Sequence, residues 1–169
     1  MSKDDDFARY MTARWHTVVR AAFLLGCGEH EAEDLAQATF MRCYTKWDRV
    51  SRTDNRDAYV ARMLLNGFRE SRRRRCWQER PTETPPETGV DDGAAAHAET
   101  DALDRALARL TPALREVVVL RYYTRLSERD TAETLRIAPD TVKSRLSRAL
   151  AQLSTDADFD DLTNRSRRE

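Results

Sequence analysis

The chain has 169 residues, 34% of them charged, with 29 basic and 29 acidic side chains and a formal net charge of zero. A mean hydropathy of −0.74 beside 40% hydrophobic residues excludes a disordered chain and describes a charge-dense one able to build a core. No apolar run reaches the ~18 residues of a membrane span. The acidic start MSKDDDF has no apolar stretch, so no secretory signal is expected, and five Gly leave little for a turn-rich β fold or a glycine-rich nucleotide loop.

Residues 5–25 are predicted to form a helix, because Phe7, Tyr10, Met11, Trp15, Val18, Val19, Ala22 and Phe23 recur at three-to-four spacing. Gly26 and Gly28 end it. A second helix is predicted over 29–48. Acidic Glu29, Glu31, Glu33 and Asp34 suit its N-terminus, and Ala32, Leu35, Ala36, Phe40, Cys43, Tyr44 and Trp47 form its apolar stripe. A polar connector, 49–56, leads to a long helix over 57–78. Its buried face is Tyr59, Val60, Met63, Leu64 and Phe68, and its end is basic, with Arg69, Arg72, Arg73, Arg74 and Arg75 before Trp77.

Residues 79–99 hold three of the five Pro and no Leu, Ile or Phe, the composition of a linker. Helical periodicity resumes at 100–155. Leu103, Leu107 and Leu110 mark one short helix, and Pro112 opens another through Val117, Val118, Leu120 and Tyr123. Ser127 is the expected N-cap of a third, with Asp130 completing a variant capping box. After Arg136, Ile137 and Ala138, Pro139 opens a last helix with Val142, Leu146, Ala149, Leu150 and Leu153. Residues 156–169 read as a disordered tail. The expected fold class is all-α, with two small helical domains, 1–78 and 100–155, joined by a flexible acidic linker.

Zero net charge is a cancellation. Residues 1–50 carry −1, 51–80 carry +5, 81–100 carry −5, 101–155 carry +3 and 156–169 carry −2. Two basic modules flank an acidic strip, and such asymmetry bears on partners more than the total does. Arg supplies 26 of the 29 basic residues. High-GC codon usage explains this, and so does a need for bidentate phosphate and base contacts. Cys27, Cys43 and Cys76 show no CxxC spacing, which points to reduced thiols. Cys27 and His30 lack two further ligands for a closed zinc site. No hydrolase, metalloprotease or nucleotide-loop motif occurs, and no cofactor, metal or catalytic residue is expected.

The last two helices and their three-residue turn have a helix-turn-helix layout. Ala132 permits close crossing, Ile137 plugs the turn, and Val142, Leu146 and Leu150 are expected to face inward. The opposite face offers Thr141, Lys143, Ser144, Arg145, Ser147 and Arg148, donors suited to phosphates and guanine edges. A generic amphipathic hairpin with a solvated face fits the periodicity equally well. Arg72–Arg75 with Trp77 suits a backbone-holding, base-stacking surface, and suits a solvated helix end too.

Several stretches resemble bacterial sigma factors. Asp34-Leu35-Ala36-Gln37-Ala38-Thr39-Phe40 is similar to the family's DLxQxxF segment. Ala58-Tyr59-Val60 through Leu65-Asn66, with the Arg run and Trp77, is similar to the next part of the same family domain. Leu110-Thr111-Pro112 through Tyr122, and Thr141-Val142-Lys143-Ser144-Arg145-Leu146-Ser147-Arg148-Ala149, resemble the C-terminal domain. Order, spacing and size resemble the extracytoplasmic-function (group IV) sigma factors of the sigma-70 family, which keep only regions 2 and 4.

The resemblance implies a non-enzymatic protein that binds core RNA polymerase, through its beta and beta-prime subunits, and promoter DNA, both as duplex and as melted non-template strand. It implies an anti-sigma protein as a restraining partner, no membrane insertion, and a cytoplasmic, nucleoid-associated location. Asp34, Gln37, Phe40 and Met41 are then the polymerase-binding segment, although Phe40 equally suits the core. Asn55, Asn66, Arg69, Arg72, Arg73, Arg74, Arg75 and Trp77 are the −10 contacts, with one base flipped from the stack. Lys143, Ser144, Ser147 and Arg148 are the −35 readers, and Thr141 and Arg145 touch phosphates. The linker reaches at most ~70 Å, about two turns of B-DNA at ~34 Å each.

Arg136 and Asp140 stand where the family often has Gly. The turn geometry is therefore open, since a non-Gly residue in the left-handed region is uncommon. The −35 preference is expected to differ from that of relatives. The alternatives are a stand-alone helix-turn-helix regulator of duplex operator DNA and a helical adaptor with merely solvated basic faces. Neither accounts for Asp34–Met41 and the Arg72–Trp77 module together.

Overall fold

The computed structural model describes residues 2–78 and 96–155, and every regular element among them is helical. The expected tail and most of the expected linker lie outside the described residues. Helix α1 spans Lys3–Leu25, α2 Glu29–Thr45, α3 Trp47–Val50 and α4 Arg56–Gln78. Then come α5 (Ala96–Arg109), α6 (Pro112–Val118), a π-helical turn at Val119–Tyr123, α7 (Glu128–Leu135) and α8 (Pro139–Ser154). Helix α5 begins inside the stretch that composition reads as linker.

The caps explain several boundaries. Ser2 accepts from the Asp5 amide at 3.1 Å, and the Asp5 carboxylate accepts from the Ser2 amide at 3.3 Å, a reciprocal capping box. Helix α1 stops at Gly26, whose φ of +120° suits only glycine at low cost. The Cys27 amide then bonds back to the Ala22 carbonyl at 3.2 Å. Ser127 caps α7 as the sequence suggests, accepting from the Asp130 amide at 3.0 Å.

Helix α1 packs on α2 and α4. Its Phe7 meets Trp47 edge-on with centroids 5.2 Å apart, and Trp15 stacks on Phe40 at 5.9 Å. Aromatic pairs of this kind add ~0.5–1.5 kcal/mol beyond burial. Gly67 lets α4 come close to α2, because a Cβ there would stand 2.9 Å from Leu35 Cδ1. Helix α8 packs on α6 and α7. The two groups of helices share one apolar cluster: α4 meets α7, and α1 meets α5, α6 and the π-turn.

Four expectations need correction. The helix expected over 29–48 breaks at Lys46 (φ −109°, ψ 15°), and the separate turn α3 swings Trp47 and Val50 into the core. On α5, Ala102 and Ala106 are buried with Leu107 and Leu110, while Leu103 is exposed. On α8 the inward face is Val142, Ala149 and Leu153; Leu146 is half-buried and Leu150 is 41% exposed. The helix expected to run from Pro112 through Tyr123 becomes π-helical after Val118.

Candidate nucleic-acid interface

Three surfaces gather the residues that the sequence singles out. The first is a groove between α1 and α2. Asp34 and Gln37 are exposed on α2, and Met41, 64% exposed, continues the row at helical spacing. Phe40 is 2% exposed and forms part of the floor. Its ring belongs to the core, so it shapes the groove from beneath. Met11 and Trp15 of α1 form another wall, with Tyr44 beside Met41. Tyr44 donates to Asp4 at 2.7 Å, and this hydrogen bond raises its pKa. The sequence pattern placed Tyr44 and Trp15 only in apolar stripes and missed their share in this groove.

The second surface is α4. Asn66 and Arg73 are exposed, and Trp77 is 91% exposed at the end of the helix. The other candidates there are already engaged. Asn55 caps α4, its Oδ1 accepting from the Ala58 amide at 3.0 Å, while its Nδ2 donates to Asp130 at 2.9 Å. Arg69 grips Glu116 with two bonds, 3.0 and 2.7 Å long. Arg72 donates to the Gly26 carbonyl, Arg74 pairs with Glu70 at 2.6 Å, and Arg75 pairs with Glu31 at 2.8 Å. Beside them Arg115 donates to the Leu107, Ala108, Leu110 and Leu25 carbonyls. Burial, then the like charge of Arg72, lowers its pKa.

The third surface is the outer face of α8. Lys143, Ser144, Ser147 and Arg148 are exposed, and Thr141 and Arg145 half-buried. The helices are set by the turn. Arg136 takes the left-handed conformation (φ 57°, ψ 46°), and the Ile137 amide bonds back to the Ala132 carbonyl at 3.0 Å. The helix-turn-helix geometry therefore stands with Arg where glycine is the easy choice. Lys143 lies 3.6 Å from Glu128 and 3.9 Å from Asp140, so one candidate base reader rests between two carboxylates. Ala138 gives α8 no side-chain cap, in keeping with its poor capping chemistry.

Among the described residues no group of three or more His, Cys, Asp and Glu could hold a metal ion, and no helix is long and apolar enough to cross a membrane. Cys27 and Cys43 are buried and Cys76 is exposed.

Residues 7–78 match the family model described as Sigma-70 region 2, and residues 100–153 match Sigma-70, region 4. The RNA polymerase sigma-E factor of Streptomyces avermitilis is 37% identical over 161 residues, covering 95% of this chain and 90% of that protein. The ECF RNA polymerase sigma factor EcfG of Rhodopseudomonas palustris is 30% identical over 135 residues, covering 79% and 75%. Among solved structures, the sigma factor RpoE in complex with the anti-sigma factor NepR from Bartonella quintana superposes with a TM-score of 0.71. It is 26% identical and covers 87% of this chain and 93% of that one. CnrH in complex with the cytosolic domain of CnrY shares the fold, with a TM-score of 0.67 at 24% identity and coverage of 90% and 87%.

Proposed function

The chain belongs to the extracytoplasmic-function group of the sigma-70 family, and from that premise we propose how its surfaces divide the work. It is a sigma factor: it binds core RNA polymerase and directs promoter-specific initiation by reading −10 and −35 elements. The bond-making belongs to the polymerase, and this chain supplies recognition and positioning.

The exposed α2 row of Asp34, Gln37 and Met41, whose last two residues line the groove, binds core polymerase. Its mix of one carboxylate, one amide and one soft thioether suits an amphipathic helix laid into a groove. Residues 1–78 act as the module for polymerase and the −10 element, and 100–155 as the module for the −35 element. Asn66 and Arg73, with Arg69, Arg72, Arg74 and Arg75 once released from their partners, track the −10 strand. Trp77 offers a face on which an unstacked base rests. Lys143, Ser144, Ser147 and Arg148 read the −35 duplex, and Thr141 and Arg145 hold phosphates. The observation that carries this division is the outer face of α8, a row of donors on a helix-turn-helix whose turn keeps its geometry.

The solved sigma factor RpoE from Bartonella quintana is in complex with the anti-sigma factor NepR, and the same class of partner suits this chain, with the polymerase groove as its target. The protein works on the nucleoid in the cytoplasm, where core polymerase is.

Run-off transcription with matched core polymerase tests the division. Lys143→Ala or Arg148→Ala should lower initiation about 5- to 150-fold, or ~1–3 kcal/mol per base contact, on promoters with an intact −35 element. The loss should vanish when that element is scrambled. Trp77→Ala should slow strand opening while leaving duplex binding unchanged. Equal losses on intact and scrambled −35 elements, or a tight operator footprint without polymerase, would contradict it.

A further inference from the structure

Leu25, Phe68, Arg72, Arg73, Pro112 and Arg115 line a cleft of about 720 Å³, the size of a small-molecule site. Helix α4 forms one side, and the end of α1 with the start of α6 forms the other. Its charges do not balance. Arg69 and Glu116 on the same wall neutralise each other through two bonds, 3.0 and 2.7 Å long, and Glu70 is taken by Arg74 at 2.6 Å. Arg72 and Arg115, in contrast, spend their bonds on neutral carbonyls. Arg72 donates to Gly26, and Arg115 donates to Leu25, Leu107, Ala108 and Leu110.

Those carbonyls close α1 and α5, and a helix C-terminus offers about half a negative charge. Two such ends cancel one of the two guanidinium charges. Exposed Arg73 adds another, so the cleft keeps a surplus of about two positive charges. The two engaged arginines also crowd each other. Both stand over Gly26, with nitrogens 3.1 and 2.9 Å from where a Cβ would be, so the missing side chain is what lets them converge. Burial and the charge of Arg72 lower the pKa of Arg115. An anion between the two guanidiniums would offset their repulsion and their lost hydration.

A phosphate monoester carries about −1.5 to −2 charges at neutral pH, which matches the surplus, and guanidiniums grip its oxygens in forks. The rest of the lining suits a flat apolar body. Pro112 is exposed, and the buried side chains of Leu25 and Phe68 form the floor. Arg72 lies over the Phe68 ring, 5.0 Å from its centroid, which fixes the direction of its guanidinium.

We propose that this cleft binds a free mononucleotide, with the phosphate between Arg72 and Arg115 and the base against Pro112. The site depends on Arg115 of α6, which has no part in the −10 reading, so either can fail without the other.

Titration calorimetry on the full chain at low salt tests the site with guanosine monophosphate, guanosine and inorganic phosphate as probes. The monophosphate should saturate the chain at a single site, and each half should bind at least about tenfold more weakly. Arg72→Gln should lower the affinity for the monophosphate about tenfold, and Arg72→Lys, which keeps the charge without the fork, about threefold. Arg72 is exposed, so both variants should keep the fold, as an unchanged thermal midpoint without ligand would verify. Arg129→Gln removes the same charge from an exposed position of α7 and should leave the affinity unchanged. Equal losses in Arg72→Gln and Arg129→Gln would mean diffuse attraction and overturn the site. Either half binding as tightly as the whole overturns the mononucleotide, and no saturable binding of the monophosphate overturns the proposal outright.

Discussion

Arg136 shows what a single residue can hide. From the sequence, its place in the turn left the helix-turn-helix geometry open, because the left-handed region costs a non-Gly residue ~1–2 kcal/mol. The chain accepts that cost: φ is 57°, the Ile137 amide reaches Ala132, and Leu135 stays buried. Arg136→Gly should remove the strain while adding some unfolded-state entropy, for a net gain of about 0.5–1 kcal/mol. Chemical denaturation would register it as a higher midpoint with an unchanged slope; a lower midpoint would mean that the arginine side chain itself holds the turn. Phe40 is the complementary case. Its spacing suits both a binding row and a core stripe, and only the packing of Phe7 and Trp15 around it assigns the ring to the core. The Arg69–Glu116 pair was not legible at all, since 47 residues separate partners that no local pattern links.

Whole helices were more legible than their faces. The 3.6-residue period, Ser127, Pro112 and Pro139 located the helices of the second module, because caps and fixed φ angles act locally. The inward face of α8 was misjudged by one row: Leu150 looks like core by composition, yet Ala149 and Leu153 are the residues that α6 and α7 bury. Small residues win where helices cross closely, and hydrophobicity alone does not report the distance of approach. The π-turn at 119–123 was equally invisible, for it inserts an extra residue into a stretch, 117–123, that is apolar or aromatic but for Arg121. Asp140 of α8 and Glu128 of α7 hold Lys143 between them. Asp140→Gly removes one carboxylate and a repulsion toward phosphate, so affinity for −35 duplexes should rise about three- to tenfold and base preference at the Lys143 position should change. Fluorescence anisotropy across a set of −35 duplexes measures both; unchanged selectivity would show that Asp140 has no part in reading.

For the whole molecule, the cancelled net charge takes a structural meaning. The sequence separates +5 and +3 modules by a −5 strip, and the folded chain adds a second cancellation, in which carboxylates of one module sit on basic or amide groups of the other. A neutral field and occupied contacts both predict weak DNA binding by the chain alone. The sequence foretold two helical domains; it did not foretell that they pack on a shared core, because that depends on contacts 75 to 90 residues apart in the chain.

Core polymerase is expected to change the distance between the modules. Burial pushes the Cys27 thiol up to about 12 and the Cys43 thiol to about 11, so near pH 8 both stay protonated and enclosed, and a maleimide dye reaches exposed Cys76. A second dye on Ser154→Cys, at the exposed end of α8, then reports module separation by energy transfer. Transfer should be high in the free chain and fall sharply when core RNA polymerase is added, before any promoter is present. Equal transfer with and without polymerase would contradict the claim that this sigma factor is closed when free and opened by its polymerase.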